Sequence, residues 1–275
     1  MKKYQAGQVR SIALLGNSGS GKTTFAEAML FNGGVIDRRG AVENKNTVSD
    51  YRPIEHENEN SIFSSVLYTE YGDHKINILD TPGLDDFAGG VISSLHVADS
   101  GVLMINVQNG VEVGTEIHFR HAEKMNKPLI ICINGLDHEK TNFDKSVEML
   151  KDRFGGNVTL VQYPVNEGHG FDSIIDVIKM KMLKYPQGGG KYEEVDIPSE
   201  HADRAAELQS ELIEKAAEND ESLMEVFFEN DTLTEDEMRS GIKTGLVQRG
   251  IFPVFCAAAK SNIGVDRFTE FICNV

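Results

Sequence analysis

Gly16-Asn17-Ser18-Gly19-Ser20-Gly21-Lys22-Thr23 spells GxxxxGK[ST], and it lies between an apolar run, Ser11–Leu15, and a helical pattern, Lys22–Leu30. Glycines in such a loop let successive backbone NH groups turn toward one anion, at a helix N-terminus whose dipole favours negative charge. The chemistry expected is phosphate binding. Lys22 is expected to reach the β and γ phosphates, Thr23 to ligate Mg²⁺ and Thr24 to donate to the α phosphate. Asp80-Thr81-Pro82-Gly83 follows a second apolar run, Ile76–Leu79, with Asp80 58 residues after Lys22. A carboxylate at that strand end can hold Mg²⁺ through water, and the Gly83 NH can sense the γ-phosphate.

Asn134-Gly135-Leu136-Asp137 ends the run Pro128–Ile133 and fits the base-reading pattern NKxD except at its second position. Asn134 is expected to tether neighbouring loops, and Asp137 to accept the paired NH groups of guanine. Gly135 lacks the aliphatic stem that covers the base. Taken without the other motifs, an Asn-Gly pair reads as a plain turn. Two phosphate motifs precede it in the right order, which selects the nucleotide reading: GTP or GDP with Mg²⁺. Ala257-Ala258-Ala259-Lys260 after the run Phe252–Cys256 resembles the SAK loop, whose backbone NH contacts the guanine carbonyl. That contact needs no particular side chain, so Ala258 in place of serine is tolerable. An ATP-using P-loop enzyme is the alternative that Gly135 leaves open.

The elements that must position these motifs are short apolar strands interleaved with helices. Besides those named, the pattern predicts strands at Ile62–Leu67, Lys75–Leu79 and Gly101–Asn106, and helices at Asp85–His96, Val113–Met125 and Phe143–Phe154. Such alternation implies an α/β fold with a mostly parallel sheet flanked by helices. Asp37–Asn60 is polar and non-periodic, and so reads as a functional mobile loop. Pro186–Gly190, a PQGGG break, stands just before an acidic segment. The formal net charge is −16, yet Tyr192–Glu237 holds 17 Asp or Glu against only Arg204 and Lys215, which leaves the rest of the chain nearly neutral. One acidic region therefore rides on a neutral body. Within it Asp203, Glu207, Glu211, Glu214 and Glu218 fall on one helical face, opposite Ala205, Leu208, Leu212 and Ala216. Cys132, Cys256 and Cys273 form no CxxC pair, and read as buried thiols. No apolar stretch approaches the ~18 residues of a membrane span, and the opening MKKYQAGQVR is polar where a signal peptide needs an apolar run. A cytoplasmic location without membrane contact is expected.

With these motifs in this order, the chain resembles the first domain of the elongation factor G family of translational GTPases, over essentially all 275 residues. Ile174–Lys181 and Leu212–Glu218 are similar to stretches of that family's own inserted subdomain. Asp137 and Ala258 are 121 residues apart, where small GTPases leave a few dozen. The resemblance therefore implies a P-loop GTPase core at 1–155 and 251–275, with an inserted acidic α+β subdomain at 156–250. It implies a place for this chain on the ribosome in translocation, as a monomer, with the stalk protein engaging 203–218 and the GTPase-associated RNA as further partner. Ribosomal protection against an antibiotic and a GTP-dependent binding switch without catalysis are the alternatives. Val275 falls where the family's GTPase domain hands over to its next one, and nothing resembling the later domains is present, so a piece of a longer protein is expected.

Three further positions depart from the family pattern. Ungapped alignment of its first switch loop leaves Ser61 as the hydroxyl available to Mg²⁺. The P-loop carboxylate of many relatives falls on Gly19. The family's TPGHxDF becomes Thr81-Pro82-Gly83-Leu84-Asp85-Asp86-Phe87, so that Leu84 stands where a histidine orients the attacking water. No catalytic residue is then secure, and hydrolysis is expected to be slow or absent.

Overall fold

The computed structural model describes residues 2–275. Its main sheet has seven strands: β1 Val9–Leu15, β2 Ser65–Tyr71, β3 His74–Asp80, β4 Ser100–Asn106, β5 Leu129–Asn134, β6 Val158–Leu160 and, late in the chain, β11 Phe252–Ala257. The spatial order is β2-β3-β1-β4-β5-β11-β6, with β2 antiparallel to β3 and every other pair parallel. Val102–Ile105 and Leu129–Ile133 are apolar at every position because parallel strands are covered on both faces, and all of them are buried. Flanking helices are α1 Lys22–Asn32, α3 Ala88–Val97, α4 Val113–Lys124, α5 Phe143–Phe154 and α9 Val265–Asn274. Phe25 of α1 meets Phe268 of α9 edge to face at 5.1 Å. The three cysteines are free and buried.

β1 has β3 on one side and β4 on the other, so the strand order reverses at β1. At such a point the loops leaving the carboxyl ends of neighbouring strands diverge and open a crevice. Leu15, Asp80, Asn106, Asn134 and Ala257 all lie at those ends. Register holds them level, with Leu14 opposite Asp80, Asn106 opposite Asn134, and Asn134 opposite Ala257. Every chemical motif of the sequence thus emerges on one rim.

A second sheet, in the order β10-β9-β8-β7, is wholly antiparallel: β7 Gln162–Pro164, β8 Ser173–Asp176, β9 Lys181–Lys184 and β10 Glu193–Val195. Three helices follow, α6 Ser199–Glu218, α7 Glu221–Asn230 and α8 Glu235–Gln248. Asp220 caps α7 through Ser222 N and Leu223 N, and Thr234 with Glu237 forms a capping box on α8. On α6, Ala205, Leu212 and Ala216 are buried while Asp203, Glu207, Glu214 and Glu218 are exposed. Lys151 of α5 reaches Glu211 at 3.7 Å, and Arg204 reaches Asp144 at 2.6 Å. A buried pair, Arg267 Nε to Asp176 Oδ2 at 2.8 Å, ties β8 to α9.

The structure departs from the sequence reading at several places. Val158–Leu160 lies within the expected insertion 156–250, yet it pairs with β11 as the edge of the main sheet, and the second sheet starts only at Gln162. The strand expected at Ile62–Leu67 begins instead at Ser65, because Ile62 N and Phe63 N donate to Glu55 Oε1 rather than to a strand partner. The helix expected from Asp85 opens with a tight 3-10 turn, Asp85–Phe87, and becomes α-helical at Ala88. Asp37–Asn60, read from its composition as a mobile loop, carries local structure of its own. It carries a 3-10 turn, Val42–Asn44, and a short helix, α2 Pro53–Asn58, with proline at the first helical position. Buried acids pin it: Glu27 accepts from Gly40 N and Val48 N, and Glu55 from Ile62 N and Phe63 N. Polar composition signalled solvent, whereas these carboxylates look inward. Among the described residues no helix is long and apolar enough to cross a membrane.

Candidate functional site

The rim holds an open cleft of about 350 Å³. Ser18, Gly19, Ser20, Gly21, Lys22, Thr23, Thr24, Ser61, Gly83, Asn134, Asp137 and Lys260 line it; Asn17, Asp80, Leu84, Ala258 and Ala259 do not. The loop after β1 is fastened from several sides. Lys22 Nζ donates to Gly16 O and Asn17 O, both at 2.9 Å, and Ser18 N donates to Gly83 O at 3.1 Å. Asn106 Nδ2 donates to Gly19 O, and Asn134 Nδ2 to Ser20 O. From beneath, His118 Nδ1 accepts the Gly16 NH at 2.8 Å. Burial drives the Lys22 pKa down to about 8, against the opposing pull of Asp80, Asp50 and Glu112. Gly83 must lack a side chain, since a Cβ there would come within 2.6 Å of Ser18 N and meet the lysine ammonium.

Thr23, Ser61 and Asp80 converge. Thr23 Oγ1 donates to Asp80 Oδ2 at 2.7 Å and lies 3.3 Å from Ser61 Oγ. Ser49 Oγ donates to the same carboxylate oxygen at 2.6 Å. Asp80 Oδ1 is buried with no partner, and burial holds this carboxyl above its ordinary pKa. Hydroxyl and carboxylate oxygens of this kind are the donors that Mg²⁺ takes. Asp50, absent from the sequence reading, borders the same place. Burial raises its pKa to about 6, with the Ser61 hydrogen bond opposing and repulsion from Asp80 adding.

At the other end of the cleft, Asn134 acts as the tether: besides Ser20 O it holds the Ala259 NH on its Oδ1 at 2.9 Å. Asp137 Oδ2 accepts from Ser261 Oγ at 2.5 Å, while its Oδ1 is buried and unpartnered. The Ala258–Lys260 loop closes over the tether. The Ala258 NH donates to Ile263 O and the Ala259 NH to Asn134 Oδ1. Tight closure of the turn on Ile263 takes the first, and the tether takes the second. The side chain of Lys260 lies 3.9 Å from Glu43.

Leu84 is 40% exposed, in extended conformation at the entrance to the 3-10 turn. Neither it nor Asp85, Asp86, His74 or His96 lines the cleft. A polar link crosses the loops nearby instead: Ser18 Oγ donates to Asn60 Oδ1 at 2.6 Å. Asn60, Asn106, His118, His138, Asp50 and Ser261 all went unread in the sequence. Only Asn106 carried a signal, a polar residue closing an apolar strand as Asn134 does. The rest depend on contacts between distant segments.

Comparison with known proteins agrees with this geometry. A family model described as the elongation factor Tu GTP binding domain matches residues 7–275. An "Elongation factor G-like protein" of Thermotoga maritima is 33% identical over 267 residues, which cover 97% of this chain and 38% of that protein. A crystal structure of a Thermus thermophilus protein superimposes with a TM-score of 0.91 at 29% identity, covering 98% of this chain and 40% of that one. The chain thus spans about two fifths of the length of each. The family's model matches the chain almost end to end, across both the loop at the strand-order reversal and the segment carrying Asp137, and the chain belongs to the elongation factor Tu GTP-binding domain family, as a GTPase domain of the elongation factor G kind.

Proposed function

We propose that this chain is the nucleotide-binding domain of an elongation factor G-like translation factor that takes GTP and GDP with Mg²⁺ and works on the ribosome in translocation. The observation that carries the guanine reading is Asp137. Its Oδ1 is buried and lacks a donor, in a cleft that also holds Lys22 and Gly83. Two adjacent NH groups of guanine supply such an acceptor with donors; adenine offers it none at that edge. Thr23, Ser61 and Asp80 would hold the metal, which when bound neutralises phosphate charge. Lys22 meets the β and γ phosphates, the Gly83 NH reads the γ-phosphate, and the backbone of residues 17–21 wraps the rest.

Hydrolysis is the weak function. An isobutyl side chain at Leu84 neither accepts a hydrogen bond from water nor carries charge, and a positioned acid-base group contributes about 10²–10⁴-fold. This same residue favours a second reading, a switch whose GTP-bound state does the work with little turnover. The outward stripe at Asp203, Glu207, Glu214 and Glu218 suits a basic partner, for which the stalk protein's C-terminal domain is the candidate, beside the GTPase-associated RNA. Calorimetric titration with GDP and with ADP, with and without Mg²⁺, tests the reading. GDP is expected to bind and ADP to fail to compete; equal affinities would sink the guanine assignment.

A further inference from the structure

The base-reading segment lacks the stem that ought to lie on the base, because position 135 is glycine. What fills that direction is the next histidine. Gly135 has φ +86°, and a Cβ built on it would come 3.1 Å from His138 Cδ2 and 3.8 Å from His138 Nε2. The imidazole therefore occupies the space into which a side chain at 135 would run. The turn that brings it there is closed by His138 N donating to Gly135 O at 3.1 Å, and is braced by Gln108 Nε2 on Glu139 O and by Gly168 N on Leu136 O. His138 lines the nucleotide cleft beside Asp137 and Lys260. The free oxygen of Asp137, the acceptor for the base edge, is one residue away.

We propose that His138 is the base-covering residue of this protein, its imidazole stacking on the guanine plane in place of the missing stem. The proposal rests on the guanine reading above. Aromatic side chains stack on bases through their π faces, which is sequence-tolerant and contributes to affinity; edge recognition stays with Asp137. Because a planar ring hides more base surface than an alkyl chain, glycine at 135 then becomes a fitting choice: it clears room for the ring.

The test uses the chain as it is, which contains no tryptophan. His138 is exposed, so substitutions there should leave the fold intact, as circular dichroism will report. His138→Ala is expected to weaken GDP binding about ten-fold in calorimetry, and His138→Phe to keep it within about two-fold. In His138→Trp the single indole should be strongly quenched on adding GDP, with a midpoint equal to the calorimetric one, whereas His96→Trp on α3 should not respond. If GDP binds selectively over ADP and His138→Ala retains that affinity, or if the indole at 138 is silent, the stacking role is overturned and the guanine reading stands. If native protein binds GDP no better than ADP, both fall together.

Discussion

His118 makes the phosphate loop depend on pH in a direction and by an amount that can be worked out. The ring is fully buried beneath Gly16, whose NH it accepts on Nδ1 at 2.8 Å. Nδ1 must therefore carry no proton, and Nε2 is buried without a partner. Burial pushes the pKa down to about 3, with the charges of Lys22 and His121 adding to it. Unfolded, the same histidine titrates near about 6.5. Between those values the unfolded chain binds a proton that the folded chain refuses, so stability is full above about pH 6.5 and declines as pH falls. From about pH 7 to about pH 5 this one group removes about 2 kcal/mol. His118→Val abolishes the titration and strands the Gly16 NH, an unsatisfied buried donor that costs about 1–3 kcal/mol, with a further loss from the smaller side chain. The variant is thus expected to be less stable at neutral pH but to lose about 2 kcal/mol less on acidification. Urea unfolding followed by circular dichroism at the two pH values measures both. Other titrating groups, Asp50 among them, are common to the two proteins and cancel in the comparison. Parallel pH profiles would refute the reasoning, for they would mean that the imidazole is solvated or charged in the folded state.

Leu84→His in this protein is expected to raise ribosome-stimulated phosphate release by about 10²–10⁴-fold, with little change in stability because the site is exposed; a native rate equal to that of an ordinary elongation factor G assayed alongside refutes it. Replacing Glu207, Glu211 and Glu214 together with glutamine should slow association with a basic stalk domain, most at low salt, while Glu211, already facing Lys151, contributes least. An unchanged on-rate would make the stripe a solvated face. Arg267→Met leaves Asp176 buried without its cation and should cost about 3–5 kcal/mol in thermal or chemical unfolding. Adding Asp176→Asn should recover part of that, and no recovery would mean that the pair is not the source.

The sequence alone determined the α/β class, the glycine-rich loop between strand and helix, and the placing of the Asp80 carboxylate at a strand end. Each is a local statement: GxxxxGK[ST] between a strand and a helix constrains its own backbone, and an acid at the end of an apolar strand has only the rim to face. Helix α5 came out at Phe143–Phe154 as its periodicity predicts, since one face of it is apolar and the caps are local. Tertiary structure decided what depends on meeting. Nothing in Asp37–Asn60 announced that Glu27 and Glu55 would pin it, because a carboxylate reads as solvated until its donors, backbone NH groups elsewhere along the chain, are known. The edge strand Val158–Leu160 has too few residues to show a period, and it becomes a strand only by pairing with β11, nearly a hundred residues later. That the Ala258 NH would close on Ile263 O and the Ala259 NH on the Asn134 side chain is set by loop closure between segments far apart in the chain. His138 and His118 are ordinary histidines in the text. Only folding brings one over Gly135 and the other under Gly16, and contact of that kind has no signature in spacing.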